Sequence, residues 1–309
     1  MTGPSTRPNA LARGYDRAVI QGAASREAAR AGHPEVGFEH LLLGVLVNGG
    51  PGARLLMDAG VDLAGARAGI DALLAEDLAL LGIDAALPAP SASPAEGAAM
   101  LPLAPRLQEL VDDRPSAGGD RALLAALIGD GGGRVRRLLE RLGVDADDLD
   151  LDVPECPAGG ARPSAAGGFE AQGWENTLYD LEVPVPAERL WALLSDPERR
   201  GEWDTAGTPA RHLGGGVVEL ALRHGSPVRE SITRRVEGRE VTWAREEGEG
   251  TAPRALKIVI EPLEGRARLH LSLGWPNALR GRLANRMVRW IARQQLRLHA
   301  QAIAQAAAS

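Results

Sequence analysis

Residues 153–168 read VPECPAGGARPSAAGG, and no stretch of that composition can hold a hydrophobic core. This run constrains the chain more than any other feature, because it reads as a flexible linker over 151–173 with a folded segment on each side. The 309 residues suit about two domains at roughly 100–200 residues each. The two segments also differ in composition. All six tryptophans (Trp174, Trp191, Trp203, Trp243, Trp275 and Trp290) follow the run, whereas residues 1–150 hold only Tyr15 and Phe38 as aromatics. Residues 1–150 carry 14 arginines against 21 acidic residues, and residues 174–309 carry 20 basic against 17 acidic. The expected organisation is therefore a domain over 8–150, the linker, and a second domain over 174–309. Aromatics are 3% of the whole, so both cores must be built mainly from Leu, Val, Ile and Ala.

Several function classes drop out on counts. Lys257 is the single lysine among 35 basic residues and sits in a strand-like LKIVI run, so no GxxxxGK[ST] phosphate loop exists and the chain is not a P-loop ATPase. One cysteine, Cys156, excludes an internal disulfide framework and a multi-cysteine metal site. The net charge of −6 carries no general nucleic-acid signature. The first residues lack the apolar core of a signal peptide, and no run of about 18 apolar residues occurs. A cytoplasmic protein without a membrane span, a nucleic-acid partner, a metal or a cofactor is expected.

The first segment reads as short helices: Ala12–Ala31 stopped by Gly32, Glu39–Val47, Ala53–Ala59 closed by Gly60, and Ala64–Glu76. RLLMDAGVD (54–62) returns as RLLERLGVD (137–145), offset by 83, and VLVNGG (45–50) returns as LIGDGG (127–132), offset by 82. A two-fold repeat of helical units follows, each too small to bury its apolar face alone. AARAGHPEVGFEHLLLGVL (28–46), followed by paired glycines and RLLxxxGVD, closely resembles the N-terminal repeat domain of Clp-type chaperone ATPases. That resemblance implies an all-α, pseudo-two-fold module that binds peptides, adaptors, other ligands of the Clp machinery or cyclic peptides. It points to Phe38, Glu39 and His40 as peptide-binding residues. Where the family has Gly-Thr-Glu-His, this chain has Gly37-Phe38-Glu39-His40, and in the second repeat Arg121 stands in place of the family's glutamate. On the residues themselves, Glu39 reads equally as a first-turn acid complementing the helix dipole, and His33 and His40 as capping or packing residues.

The second segment reads as an α+β domain. WENTLYDLEVP (174–184) alternates like a strand, residues 186–195 and 196–204 form two short helices, and five alternating segments follow. Val218, Leu220, Leu222, Val228, Ile232, Val236, Val241, Trp243, Leu256, Ile258, Ile260, Leu269, Leu271 and Leu273 make the apolar faces. Glu219, Arg223, Arg229, Lys257, Arg268 and His270 make an opposite, wet face, as in an antiparallel sheet packed on one side. A long helix over about Leu279–Ala308 closes the chain, with Leu279, Leu283, Met287, Trp290, Ile291 and Leu298 as its apolar side. Arg282, Arg286, Arg289, Arg293 and Arg297 form a basic stripe on it.

This order, with VPAExLWxLLSDPxxxxxWD at 185–204, is similar to the START-like helix-grip superfamily, SRPBCC or polyketide cyclase/dehydrase-like. The resemblance implies a curved antiparallel sheet around a long C-terminal helix, with a small hydrophobic molecule between them. The candidate lining is Leu220, Leu222, Ile232, Trp243, Ile258, Ile260, Leu271, Met287 and Ile291, and the alternative is that these side chains fill the space as an ordinary core. Glu230 has inward parity but no partner legible in sequence, so it reads as a strand-end glutamate in solvent. No catalytic residue is assigned. The expected function is a non-enzymatic two-module binding protein; the alternative is an aromatase/cyclase-type enzyme targeted by its first module.

Overall fold

A computed structural model describes residues 10–83, 100–112, 119–151, 174–205, 210–221, 226–247, 253–276 and 282–309. Its contacts divide the chain into two compact units, Met1–Ala158 and Gly159–Ala308. The expected linker lies almost wholly outside the described residues, as do Leu222 and Leu279.

The described part of the first unit is helical: α1 (Ala10–Arg30), α2 (Phe38–Asn48), α3 (Pro51–Asp58), α4 (Leu63–Leu80), α5 (Pro105–Asp112), α6 (Gly119–Ile128), α7 (Arg134–Arg141) and a 3-10 turn at Ala146–Asp148. Helix α2 is the centre. Every residue from His40 to Asn48 is buried, and α1, α3, α4, α6 and α7 pack around it. The approach of α1 is close: a Cβ added at Gly44 would stand 2.5 Å from the Ile20 carbonyl oxygen. Glycine is therefore required at that crossing.

The repeat seen in sequence is one chain-reversing device used twice. After α3, Gly60 turns at φ +90° and the Val61 N–H returns to Leu56 O at 2.9 Å. After α7, Gly143 turns at φ +77° and the Val144 N–H returns to Leu139 O at 2.9 Å. Both are αL helix ends, where a β-carbon would be strained. The halves meet through the Val36 N–H to Pro102 O at 2.8 Å and the Ala104 N–H to Val36 O at 2.9 Å. The copies are unequal where both are described: Leu63–Gly65 begin the 18-residue α4, while the matching Ala146–Asp148 form a 3-residue 3-10 turn.

The second unit runs β1 (Trp174–Val183), α8 (Ala187–Leu194), a 3-10 segment (Pro197–Trp203), β2 (Ala210–Gly214), β3 (Val217–Leu220), β4 (Val228–Val236), β5 (Glu240–Arg245), β6 (Arg254–Leu263), β7 (Arg266–Pro276) and α9 (Arg282–Ala308). The strands form one antiparallel sheet in the order β1-β7-β6-β5-β4-β3-β2. Register places Ile258 opposite Leu271, Ile260 opposite Leu269 and Trp243 opposite Leu256, so these side chains share the face that α9 covers. A seventh strand, β2, was not expected. Its residues are largely exposed, and a register shift between His212 and Gly214 blunts this edge. A second shift, between Ile232 and Arg234, moves Val236 off the inner face and leaves it 38% exposed, contrary to expectation.

The expected apolar side of the last helix is also corrected. Met287, Trp290 and Ile291 are exposed, and the buried stripe is Ala292, Leu296, Ala300, Ile303, Ala304 and Ala307. Small side chains let α9 lie close on β1, β7, α8 and the 3-10 segment, its main packing partners.

Candidate functional site

In the first unit, the three residues expected to meet a peptide are bound within the fold. Helix α2 begins after Gly37, which has no side chain to cap it. His40 takes that role: its Nδ1 accepts the Gly37 N–H at 2.9 Å. Its Nε2 must then carry the proton, which it donates to His33 Nδ1 at 2.8 Å. His40 is 3% exposed, and burial pushes its pKa down to about 4, with the neighbouring charges of Glu39 and His33 acting in opposite directions. Glu39 lies 3.3 Å from the Arg134 guanidinium at the start of α7, which also pairs with Asp77 at 2.7 Å. Phe38 is half-buried. In the second repeat, Asp120 is buried and accepts the Gly52 N–H at 3.1 Å, while Arg121 is buried with Asp150 at 3.8 Å. A separate cleft of about 420 Å³ lies between α1, α5 and the 100–103 segment; Arg17, Gln21, Leu101, Leu103 and Gln108 line it, and Phe38, Glu39 and His40 do not.

The second unit holds the denser chemistry. Strand pairing sets Val218 opposite Glu230, Glu230 opposite Arg245, and Arg245 opposite Arg254, so these side chains share the face that carries Trp243 and Ile258. Glu230 is 4% exposed, which overturns its reading as a solvated strand-end acid. Its Oε2 accepts from Arg200 Nε at 3.1 Å and Nη2 at 2.7 Å. Its Oε1 accepts from Arg245 Nε at 3.0 Å and Nη2 at 2.6 Å, and from Arg254 Nη2 at 3.4 Å. Arg200 comes from the 3-10 segment, whose Asp196 side chain caps it by accepting the Glu198 N–H at 2.9 Å. The guanidinium lies 3.8 Å over the Trp203 ring, and Trp203 meets Trp243 edge to face at 5.9 Å. The Trp243 N–H donates to Leu194 O at 3.1 Å, which ties α8 to the sheet.

The fields of these groups are one-sided. Burial alone would raise the Glu230 carboxyl, but Arg200, Arg245 and Arg254 hold it well below the usual carboxylate range. Burial, and then the adjacent Arg245 charge, push Arg254 down to about 10. His299 on α9 is buried, and burial followed by the Arg254 charge pushes it down to about 4. Its Nδ1 donates to Gln295 O at 2.8 Å, so the neutral ring carries its proton on Nδ1 and leaves Nε2 bare.

Of the expected cavity residues, Leu220, Trp243, Ile258, Ile260 and Leu271 are buried on the inner face and Ile232 is half-buried. Leu222 lies outside the described residues, and Met287 and Ile291 are exposed on α9. The inward Glu230–arginine cluster was missed: parity alone pointed Glu230 inward, while Arg200 lies 30 residues upstream, in a different element. On the opposite face, His270 is not wet. It is 5% exposed, with Nδ1 2.9 Å from Asp180 and Nε2 3.0 Å from Glu261, and those carboxylates raise its pKa.

Residues 17–112 match the family model of the Clp repeat (R) N-terminal domain, and residues 179–304 match that of polyketide cyclase / dehydrase and lipid transport. The two matches fall one in each compact unit, so the first unit is similar to Clp repeat domains and the second to polyketide cyclase / dehydrase proteins. Similar solved structures include a conserved protein from Geobacillus kaustophilus, 16% identical over 43% of this chain and 95% of that one, with a TM-score of 0.37. Norcoclaurine synthase from Thalictrum flavum is 15% identical over 42% of this chain and 84% of its own, with a TM-score of 0.35. No curated protein matches the chain. Among the described residues, no helix is long and apolar enough to cross a membrane, and no group of three or more His, Cys, Asp or Glu side chains is placed to hold a metal ion.

Proposed function

We propose that this is a two-module binding protein. The helix-grip module takes a small hydrophobic molecule against the inner face of its sheet, and the Clp repeat module takes a peptide or adaptor. The observation that carries the reading is that Glu230, the buried acid of the inner face, is bound by three guanidiniums. A general acid or base works best with a pKa near the operating pH. Glu230 is held ionised by three guanidiniums, and His299 is held neutral with a pKa of about 4. Neither is poised to move a proton at neutral pH. Both are suited to holding a fixed electrostatic environment around a guest.

In the Clp repeat module, Glu39 is neutralised by Arg134 and His40 serves the α2 cap. The cleft lined by Arg17, Gln21, Leu101, Leu103 and Gln108 is therefore the better place for a peptide. Its mixed lining offers polar partners to a peptide backbone beside apolar contacts for side chains. Crosslinking full-length protein to peptides that bind it tests this assignment. Labels on Gln21 or Gln108 support it, and labels confined to residues 38–40 reject it. For the helix-grip module, mass spectrometry of small molecules that accompany the purified protein tests binding against turnover. A guest recovered unchanged after prolonged incubation supports binding. A second species that grows with time establishes the cyclase-type alternative.

A further inference from the structure

Helix α9 carries apolar side chains on two opposite sides. The inner side, centred on Leu296, Ala300 and Ile303, is buried against the rest of its unit. The outer side holds Met287, Trp290 and Ile291, spaced i, i+3 and i+4 and therefore neighbours on one helix face. Nine residues separate Met287 from Leu296, about two and a half turns, which sets the two on opposite sides of the helix. Met287, Trp290 and Ile291 are 61%, 51% and 43% exposed. A single exposed apolar residue needs no explanation, but three adjoining ones, one of them an indole, make a patch that the fold leaves uncovered.

The charge around this patch has one sign. The chain holds 41 acidic residues, yet none follows Glu264. Eight arginines do, five of them in α9. Arg293, one turn beyond Trp290, is exposed and makes no ion pair among the described residues. Arg289 keeps 63% of its side chain exposed while its Nε donates to Glu175 at 3.1 Å. An exposed apolar face and an acid-free row of arginines thus share the same turns of one helix.

We propose that this face of α9 docks on an anionic lipid bilayer. Met287, Trp290 and Ile291 enter the boundary between head groups and acyl chains, and Arg289 and Arg293 meet lipid phosphates. An indole suits that boundary because its ring is apolar and its N–H polar, and an arginine lays its stem on apolar surface while its guanidinium stays at head-group level. The helix lies on the membrane and does not cross it: among the described residues no helix is long and apolar enough to do so. A second copy of the chain fits poorly, since a symmetric contact through this face sets one acid-free arginine row against another. An acidic protein would satisfy the arginines, but the apolar tips stand out from a convex helix face, a shape that a fluid lipid boundary accepts without a matching groove. The inference concerns the outside of α9 and is independent of what the inner face of the sheet binds.

Co-sedimentation of the full-length protein with vesicles tests this, using phosphatidylcholine alone and equal parts of phosphatidylcholine and phosphatidylglycerol. An arginine near an anionic surface strengthens binding about fivefold, so Arg289 and Arg293 together predict a preference of about 25-fold for the anionic vesicles. Arg293→Gln is expected to weaken binding to them about fivefold. The double variant Trp290→Gln, Ile291→Gln is expected to weaken it at least about tenfold, and an unchanged thermal transition shows that this variant is folded. A wild-type preference below about threefold overturns the proposal, and that comparison needs no variant. Binding that stays unchanged in either variant also overturns it, because the contact then lies elsewhere. Polyglutamate is the soluble acidic control: if it binds as tightly as the anionic vesicles do, the face is a site for an acidic protein and the lipid assignment falls.

Discussion

Replacing Glu230 by Gln removes one charge and little volume, yet the inner face should respond strongly. The carboxylate serves Arg200 on one oxygen and Arg245 and Arg254 on the other. A glutamine keeps one acceptor and turns an amide NH₂ towards the remaining guanidinium, donor against donor. Three cations, two of them with side chains no more than 8% exposed, then face each other without compensation. Breaking a buried ion pair from one side destabilises by about 3–5 kcal/mol, which for a unit of this size lowers the melting temperature by roughly 10 °C. The assay is clean because all six tryptophans follow residue 173, so tryptophan fluorescence during urea or thermal unfolding reports the second unit. Glu202→Gln is the control: its pair with Arg199 is exposed, and its loss should change stability by less than about 1 kcal/mol. The acid limb gives a second readout. The folded-state pKa of Glu230 is depressed, so its stabilisation is present above the usual carboxylate range and is lost as pH falls through the folded value. Glu230→Gln should flatten that limb. A variant within about 1 kcal/mol of wild type, with an unchanged acid limb, would refute the buried-cluster account.

Other perturbations follow from the same geometry. His40 titrates near 4 when folded against the usual 6.5, so the first unit should lose up to about 3 kcal/mol as pH falls from 6.5 to 4, followed by far-ultraviolet circular dichroism, and His40→Gln should shrink that loss. His270 behaves oppositely. Its pKa is raised by Asp180 and Glu261, so its stabilisation is present below the unfolded pKa and fades as pH rises through the folded one; His270→Gln should remove the slope on that alkaline side, and an unaltered slope would sink the assignment. Gly44→Ala places a methyl 2.5 Å from the Ile20 carbonyl oxygen and should destabilise the first unit by about 1–3 kcal/mol in urea titration, against a small gain for an unhindered helical Gly→Ala change.

The parts of the fold legible in sequence were those set by local signals. Alternation located β1 and β3 to β7, and Gly32 and Gly60 marked helix ends, which turn at positive φ. Strand β2 was missed because Ala210–Gly214 is short and exposed, with no apolar alternation to betray it. The last helix was found, but the wrong side was assigned to the core. Its buried stripe is mostly alanine, which contributes little hydrophobicity yet allows close approach, whereas Met287, Trp290 and Ile291 carried the stronger apolar signal and are exposed. The inner-face cluster was only half legible. Parity turned Glu230 inward, but nothing local joins it to Arg200, and a long-range pair of that kind becomes visible only once the 3-10 segment is packed against the sheet.

Native mass spectrometry of the freshly purified chain tests the central claim most directly. The account predicts a population carrying one small apolar molecule, released chemically unchanged on denaturation and retained by the full-length protein without conversion. A chain that arrives empty, or one that steadily transforms its guest, would contradict it.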